Sequence, residues 1–172
     1  CNWQAKVTES NIRLPTEAEW SALRANVAED QVDWHVAPGN INLEYFASSC
    51  PVDRFATDIN QNQTDEQIFD VIGNVWQWTE PPIDTYPGFQ VHPIYDDFST
   101  PTFDGKHNLM KGGSWIATGN ESLRNARYAF RRHFHQHAGF RYIKAKHAEL
   151  PVDKVNTYET DTLVSQYLEF HY

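Results

Sequence analysis

Three histidines in alternation, a cluster of arginines and a scatter of side-chain oxygens carry most of the chemistry this sequence has to offer. On a strand, His133, His135 and His137 would turn three imidazoles to one face, enough nitrogen donors for a transition metal. On a helix, His133 and His137 would stand one turn apart. The plainer reading is a polar, partly exposed strand face. A site of two histidines and one carboxylate would also want a nearby acid, and two beyond His137 stands Gly139. Arg124, Arg127, Arg131, Arg132 and Arg141 crowd the same region. Guanidinium forks match carboxylates. They can recognise an amino-acid carboxylate or pair internally with the excess Asp and Glu, and spacing alone favours the pairing. Asn40, Asn42, Asp53 and Asp58 offer oxygens to a structural Ca²⁺, or simply form turns, the commoner use. Asp96-Asp97 can cap, bind a cation or hold an amine, with a solvated loop as the default. Cys50 precedes Pro51 with no base to activate it. The sequence has no HExxH, CxxC, GxGxxG or GxxxxGK.

Charge and length limit the function classes. The chain has 172 residues, 14 Lys+Arg against 23 Asp+Glu, and a net charge of −9. That balance argues against binding to nucleic acid or to anionic membranes. No apolar run is long enough to span a bilayer. The first residue is Cys1, so we expect a piece of a longer protein. Two cysteines do not make a disulfide framework, and a reducing, cytoplasmic setting is expected.

These side chains must be positioned by few regular elements. Asp70 to Thr79 is the centre of the chain. Gly73-Asn74 supplies a turn with positive φ, and Trp76 and Trp78 fall on one face of a strand as core fillers. Cys1 to Lys6 reads as the end of a helix. Thr16 and Glu19 form a capping box before a helix that should end near Ala28. Asp30–Gln67 and Glu80–Thr102 read as irregular loops, the second stiffened by prolines between aromatics. Leu109–Ile116 reads as a strand broken by Gly112-Gly113, with a bulge or a close backbone approach there. Gly139–Ile143 reads as one buried strand. Lys144–Lys154 is a polar linker, and Tyr158–Tyr172 carries apolar residues at helical spacing. The expected class is α+β and loop-rich.

Four ordered motifs, Arg13-Leu-Pro-Thr-Glu-Ala-Glu-Trp20, Gly73-Asn-Val-Trp-Gln-Trp78, Gly112-Gly-Ser-Trp115 and Gly139-Phe-Arg141, resemble the formylglycine-generating-enzyme (sulfatase-modifying factor) domain family over about residues 1–144. The resemblance implies an elaborated C-type-lectin-like fold, here N-terminally truncated. The formylglycine-generating oxidases place two active-site cysteines after the GGS motif. Trp115–Arg141 contains none, which disfavours that chemistry. The stretches Tyr86–Phe103 and Asn125–Arg141 are more similar to non-haem iron sulfoxide synthases of thiol-histidine biosynthesis. The tail, residues 145–172, resembles the junction to a C-terminal methyltransferase that would use S-adenosylmethionine. Together these resemble the ovothiol type, 5-histidylcysteine sulfoxide synthase.

That resemblance implies a reaction joining cysteine to the histidine imidazole with O₂ and Fe(II). It places the iron ligands, an HxxxHxE-type set, in an N-terminal helical domain outside this chain, which argues against His133 and His137 as ligands. Tyr95 falls in the region of the family's active-site tyrosine, where a phenol supplies a proton or hydrogen atom. Asn125 matches the asparagine that positions the histidine substrate in the ergothioneine branch. That branch continues with Trp and Asp, where this chain has Ala126 and Arg127. Arg127 and Arg131 are the candidates for other substrate contacts, with Arg131 on a carboxylate. The family's calcium positions fall at Asn42 and Asn74, but Gln77 stands where many members have Glu. A lectin-like ligand-binding module without catalysis is the alternative function.

Overall fold

The computed structural model describes residues 1–25, 38–57, 68–94, 99–145 and 168–171. Its centre is a four-stranded sheet in the order β6-β5-β4-β7. β4 (Trp76–Pro82) and β5 (His107–Lys111) run antiparallel, with Gln77 opposite Lys111 and Trp78 opposite Met110. The register slips between Trp78 and Pro82, where Pro81 and Pro82 can donate nothing to the ladder. β6 (Tyr128–Arg131) continues the antiparallel ladder from Met110↔Tyr128 to His107↔Arg131. β7 (Ala138–Gly139) lies parallel on the other edge of β4. A second sheet joins β1 (Ile12–Arg13), β8 (Tyr142–Ala145) and β9 (Leu168–His171). β2 (Ala56–Thr57) and β3 (Ile68–Phe69) make a short antiparallel pair. Among the described residues there are also three α-helices, α1 (Asn2–Thr8), α2 (Glu17–Ala25) and the short α3 (Ser99–Thr102), and a 3₁₀ turn at Gly119–Ser122. This is the expected α+β, loop-rich architecture. No helix among the described residues is long and apolar enough to cross a membrane.

The alternation in β4 divides the core. Trp76 is buried with Ile41, Ile72, Met110 and Ala117, and Trp78 packs on the same cluster, as the two-residue spacing required. Gln77, between them, bonds instead to Trp20, whose ring is buried with Leu23 and Val71. The third cluster is Ile83, Leu109 and Ala129, with Phe103 against it. α2 begins with the anticipated capping box. The Thr16 N–H donates to Glu19 Oε2 at 2.7 Å, and the Glu19 N–H to Thr16 Oγ1 at 3.2 Å. Arg13 forks onto both oxygens of Glu19, at 2.8 and 2.7 Å, and ties β1 to α2. That bonded carboxylate raises the Arg13 pKa above its ordinary value.

Two glycines are required where the loops cross. Gly73 has φ 78°, and a Cβ there would lie 2.4 Å from the Asn40 carbonyl oxygen. Gly112 has φ 92°, and its Cβ would lie 2.7 Å from Gln77 Nε2. The expected close approach at the glycine pair is therefore to the Gln77 side chain.

Three expectations are corrected. Gly139–Ile143 is not one strand: the chain leaves β7 at Phe140 and re-enters as β8 in the other sheet. The turning point is the buried Arg141, whose side chain needs partners that a continuous strand would not give it. The three histidines do not line a strand. β6 ends at Arg131, opposite the first residue of β5, and the Phe134 N–H turns back onto the Arg131 carbonyl. The helix expected over Tyr158–Tyr172 is a strand at Leu168–His171, where Leu-Glu-Phe-His also alternates with period two and β8 offers a free edge. The rest of that segment lies outside the described residues.

Candidate functional site

The strand β5 ends in a lysine that is only 1% exposed. Lys111 Nζ donates to the carbonyls of Arg124 and Ala126, both at 2.7 Å. It also stands 3.5 Å from Glu17 Oε1 and 5.2 Å from the centre of a Trp20 ring. The two carbonyls flank Asn125, so a buried cation on a rigid strand fixes the turn that carries the asparagine. Glu17, in the first turn of α2, serves the other side of that turn. Arg127 grips it through Nε on Oε1 and Nη2 on Oε2, each at 2.9 Å. Arg127 Nη2 also reaches the Asp84 carbonyl, and its guanidinium stacks 4.5 Å from the Tyr86 ring. Asn125 itself is exposed and bonds to no described residue through its side chain. The result is a free amide displayed on a turn held by Lys111 and Arg127.

Arg131 lies at the far end of β6. It lines an open cavity of about 510 Å³ with Pro82, Gly105, Lys106, Asn108, Arg132 and His133. Its Nη2 donates to Asp104 Oδ2 at 2.8 Å, while Asp104 Oδ1 meets His107 Nδ1 at 2.8 Å. Those bonds, His107 first, hold the Asp104 carboxyl well below the usual carboxylate range. Asn125 and Arg127 do not line this cavity. Of the four residues singled out by resemblance for catalysis or substrate binding, Arg127 and Arg131 each hold an internal carboxylate, Asn125 bonds to no described residue, and Tyr95 lies outside the described residues.

The node beneath the site is built on Gln77, only 4% exposed. Its Oε1 accepts from Trp20 Nε1 at 3.0 Å and from Arg141 Nε at 3.1 Å. Its Nε2 donates to the Asp70 and Val71 carbonyls at 3.1 and 3.2 Å. All four bonding positions of the amide are filled. Asn74 makes three such bonds. Oδ1 accepts from the Cys50 N–H, and Nδ2 donates to the Cys50 carbonyl and to Asp70 Oδ2. Its main-chain carbonyl accepts from the Trp115 N–H. The side-chain and main-chain oxygens of Asn74 each serve one N–H donor, and the neighbouring oxygen without a hydrogen-bond partner is Asp70 Oδ1. Asn42 holds a left-handed backbone (φ 58°) bonded to the Ala117 carbonyl, while Asn40 braces its own loop by bonding Ser48 and Phe46. These asparagines act as turn formers. Among the described residues no three of His, Cys, Asp or Glu lie together as a metal-binding group.

Asp70 is buried beside this node, its Oδ1 without a hydrogen-bond partner. Burial pushes its pKa up to about 6, against the Asn74 bond and the Arg141 charge, which pull it down. A carboxyl whose folded pKa exceeds its unfolded one favours the fold when protonated. Its contribution is therefore complete below about pH 4 and lost as pH rises through about 6. Asp70→Asn keeps an oxygen for Asn74 and suits the left-handed backbone (φ 50°). We expect it to remove this pH dependence and to stabilise the protein at pH 7.5 by about 2 kcal/mol. Urea unfolding at several pH values checks both.

Lys111, Glu17 and Gln77 were not anticipated as supports of the site. The available signal was a lysine within Leu-Met-Lys-Gly, where burial demands partners for the charge.

The model of the sulfatase-modifying factor enzyme 1-like domain matches residues 1–146. Hercynine oxygenase of Mycobacterium tuberculosis is 28% identical over 144 residues, covering 75% of this chain and 32% of that protein. Ergothioneine biosynthesis protein 1 of Schizosaccharomyces pombe is 30% identical over 140 residues, covering 78% and 16%. Mouse formylglycine-generating enzyme is 27% identical over 136 residues, covering 67% and 32%. The chain thus spans a third or less of these curated relatives. Among solved structures, Treponema denticola variable protein 1 superposes with a TM-score of 0.55 at 19% identity, over 77% of this chain and 47% of that one, a likeness of fold. With the family model matched from residue 1 to residue 146, the chain belongs to the sulfatase-modifying factor enzyme 1-like family, the formylglycine-generating-enzyme group.

Proposed function

We propose that this chain is the substrate-binding part of an ovothiol-type sulfoxide synthase, which joins cysteine to the histidine imidazole with O₂. The C–S bond forms at the expense of the thiol S–H and a ring C–H. One oxygen atom goes to sulfur and the other leaves as water, so the two substrates supply all four electrons. The observation that carries the reading is the Asn125 turn, a free amide held by a buried cation and an arginine fork. Two relatives named for hercynine oxygenation and ergothioneine biosynthesis support the sulfoxide-synthase part of the reading, not the ovothiol type. The absence of cysteine from Trp115–Arg141 separates the chain from the formylglycine oxidases.

Asn125 positions the histidine substrate, and Arg131 offers a guanidinium to a carboxylate. Arg127 acts by fixing the turn through Glu17, and Ala126 leaves room where the ergothioneine branch has Trp. Tyr95 supplies a proton or hydrogen atom at the reacting centre. Fe(II), when bound, supplies the O₂ chemistry from ligands in an N-terminal helical domain of the same polypeptide. A methyltransferase using S-adenosylmethionine would follow residues 145–172, and the whole would work in the cytoplasm. The C-type-lectin-like character of the fold belongs to the same reading.

A ligand-binding module without catalysis is the second reading. It is favoured by the internal pairing of Arg127 and Arg131 and by the separation of Asn125 from the Arg131 cavity. Asn125→Ala and Tyr95→Phe decide between them in the full-length protein supplied with Fe(II), O₂, cysteine and histidine. On the enzyme reading, Asn125→Ala raises the KM for histidine at least tenfold, the loss of about one charge-free hydrogen bond or more. Tyr95→Phe then lowers kcat or diverts the product. Variants indistinguishable from wild type in product, KM and kcat would contradict these roles.

A further inference from the structure

We propose that the cavity at the end of β6 is a binding site for a small oxyanion, a carboxylate or a phosphate, held by Arg131 and Arg132 with Lys106 at its rim. The chain carries a net charge of −9, yet three of its fixed cations and His133 line this one cavity of about 510 Å³. That volume lies within the range of small-molecule sites. Two walls are Pro82 and Gly105, and a Cβ built on Gly105 meets nothing within 4 Å, so the space there is open.

The two guanidinia are positioned differently. Arg131 gives Nη2 to Asp104, whose other oxygen is held by His107. Arg132 gives Nε to Asn108 Oδ1 at 3.0 Å, a neutral acceptor. Asn108 is itself buried and fixed through Nδ2 on the Glu80 carbonyl at 2.8 Å. Arg132 is therefore oriented by an uncharged partner, and no described residue compensates its charge. Its Nη groups bond to no described residue. A guanidinium anchored at Nε keeps the edge formed by its two Nη groups, two parallel N–H donors that match the spacing of two oxygens on a carboxylate or phosphate. Lys106 adds a mobile point charge and completes a site that favours more than one negative charge.

The site shares Arg131 with the substrate-carboxylate contact proposed above and deepens that role, but its test needs neither iron nor oxygen, so its failure is distinguishable from a failure of the sulfoxide-synthase reading. The test is equilibrium dialysis of the full-length protein against radiolabelled inorganic phosphate and, separately, radiolabelled succinate, at constant ionic strength in chloride. One saturable site is expected for at least one of the two, and the preferred anion identifies the ligand class. Arg132→Gln and Lys106→Gln change exposed side chains, and circular dichroism confirms that each variant is folded. Arg132→Gln should weaken binding about tenfold or more, as expected for a charge-assisted hydrogen bond. Lys144→Gln, an exposed charge in the other sheet, should change it less than twofold. Absence of saturation with both anions, or equal weakening in Lys144→Gln, would overturn the site whether or not the protein makes a sulfoxide.

Discussion

Replacing Lys111 with Met will destabilise the protein by about 3–5 kcal/mol, the range for breaking a buried charge pair from one side. The substitution is close in volume, so packing against Trp20 is kept and the loss is electrostatic and hydrogen-bonding. Two carbonyls, of Arg124 and Ala126, lose their donor, and Glu17 keeps only Arg127 as a described cation partner. The effect is local as well as global. The Asn125 turn keeps its Ala126 N–H to Leu123 carbonyl bond but loses the tie to β5. Hydrogen exchange at Ala126 and Arg127 should therefore accelerate beyond the change in global stability. Urea unfolding and site-resolved exchange measure the two parts. A loss below 1 kcal/mol with unchanged exchange would show that the turn holds itself and that Lys111 does not position Asn125.

Gln77→Leu should have an effect of similar size, about 4 kcal/mol or more, since each buried group left unsatisfied costs about 1–3 kcal/mol. The Trp20 and Arg141 N–H groups lose an acceptor, and the Asp70 and Val71 carbonyls lose donors. Gln77→Glu retains the two acceptor bonds and loses the two donations. It sets a carboxylate oxygen against two carbonyl oxygens, with Arg141 offsetting part of the charge, and should cost about half as much. Because the native amide closes this node without a cation, neither calcium nor a chelator should shift the wild-type unfolding midpoint. A midpoint that falls on chelation and is restored by calcium would contradict the assignment of Gln77 as self-contained.

Much of the fold was legible because local chemistry and tertiary structure agree. Thr16 and Glu19 spell a capping box and form one, and the Trp76–Trp78 spacing puts both rings in one cluster. Gly73-Asn74 asks for positive φ and has it. What was not legible depends on partners distant in sequence. Arg141 breaks Gly139–Ile143 into two strands because it bonds to Phe69 and Gln77, far upstream. Leu168–His171 satisfies two periodicities over four residues, and the free edge of β8 decides between them. The histidine alternation failed as a strand because the ladder of β5 ends at His107, opposite Arg131.

The candidate site shows the same division. Asn125, Arg127 and Arg131 could be picked out along the chain, but the supports of the turn could not. Lys111 reaches across the sheet to two carbonyls, and Glu17 comes from a helix whose acidic first turn reads as ordinary capping. Spacing favoured internal pairing for the arginines, and Arg127 and Arg131 do pair with Glu17 and Asp104. Their usefulness to a ligand then differs. Arg127 is committed to Glu17 through its Nε–Nη2 edge and to the Asp84 carbonyl through Nη2, whereas Arg131 and Arg132 retain N–H groups beside an open cavity.

The most direct measurement is the product of the full-length protein with Fe(II), O₂, cysteine and histidine, identified by mass spectrometry, with hercynine offered in competition. The account predicts a histidylcysteine sulfoxide, formed from histidine in preference to hercynine and dependent on O₂. No adduct from iron-loaded, folded protein would contradict it and leave the ligand-binding module as the working function.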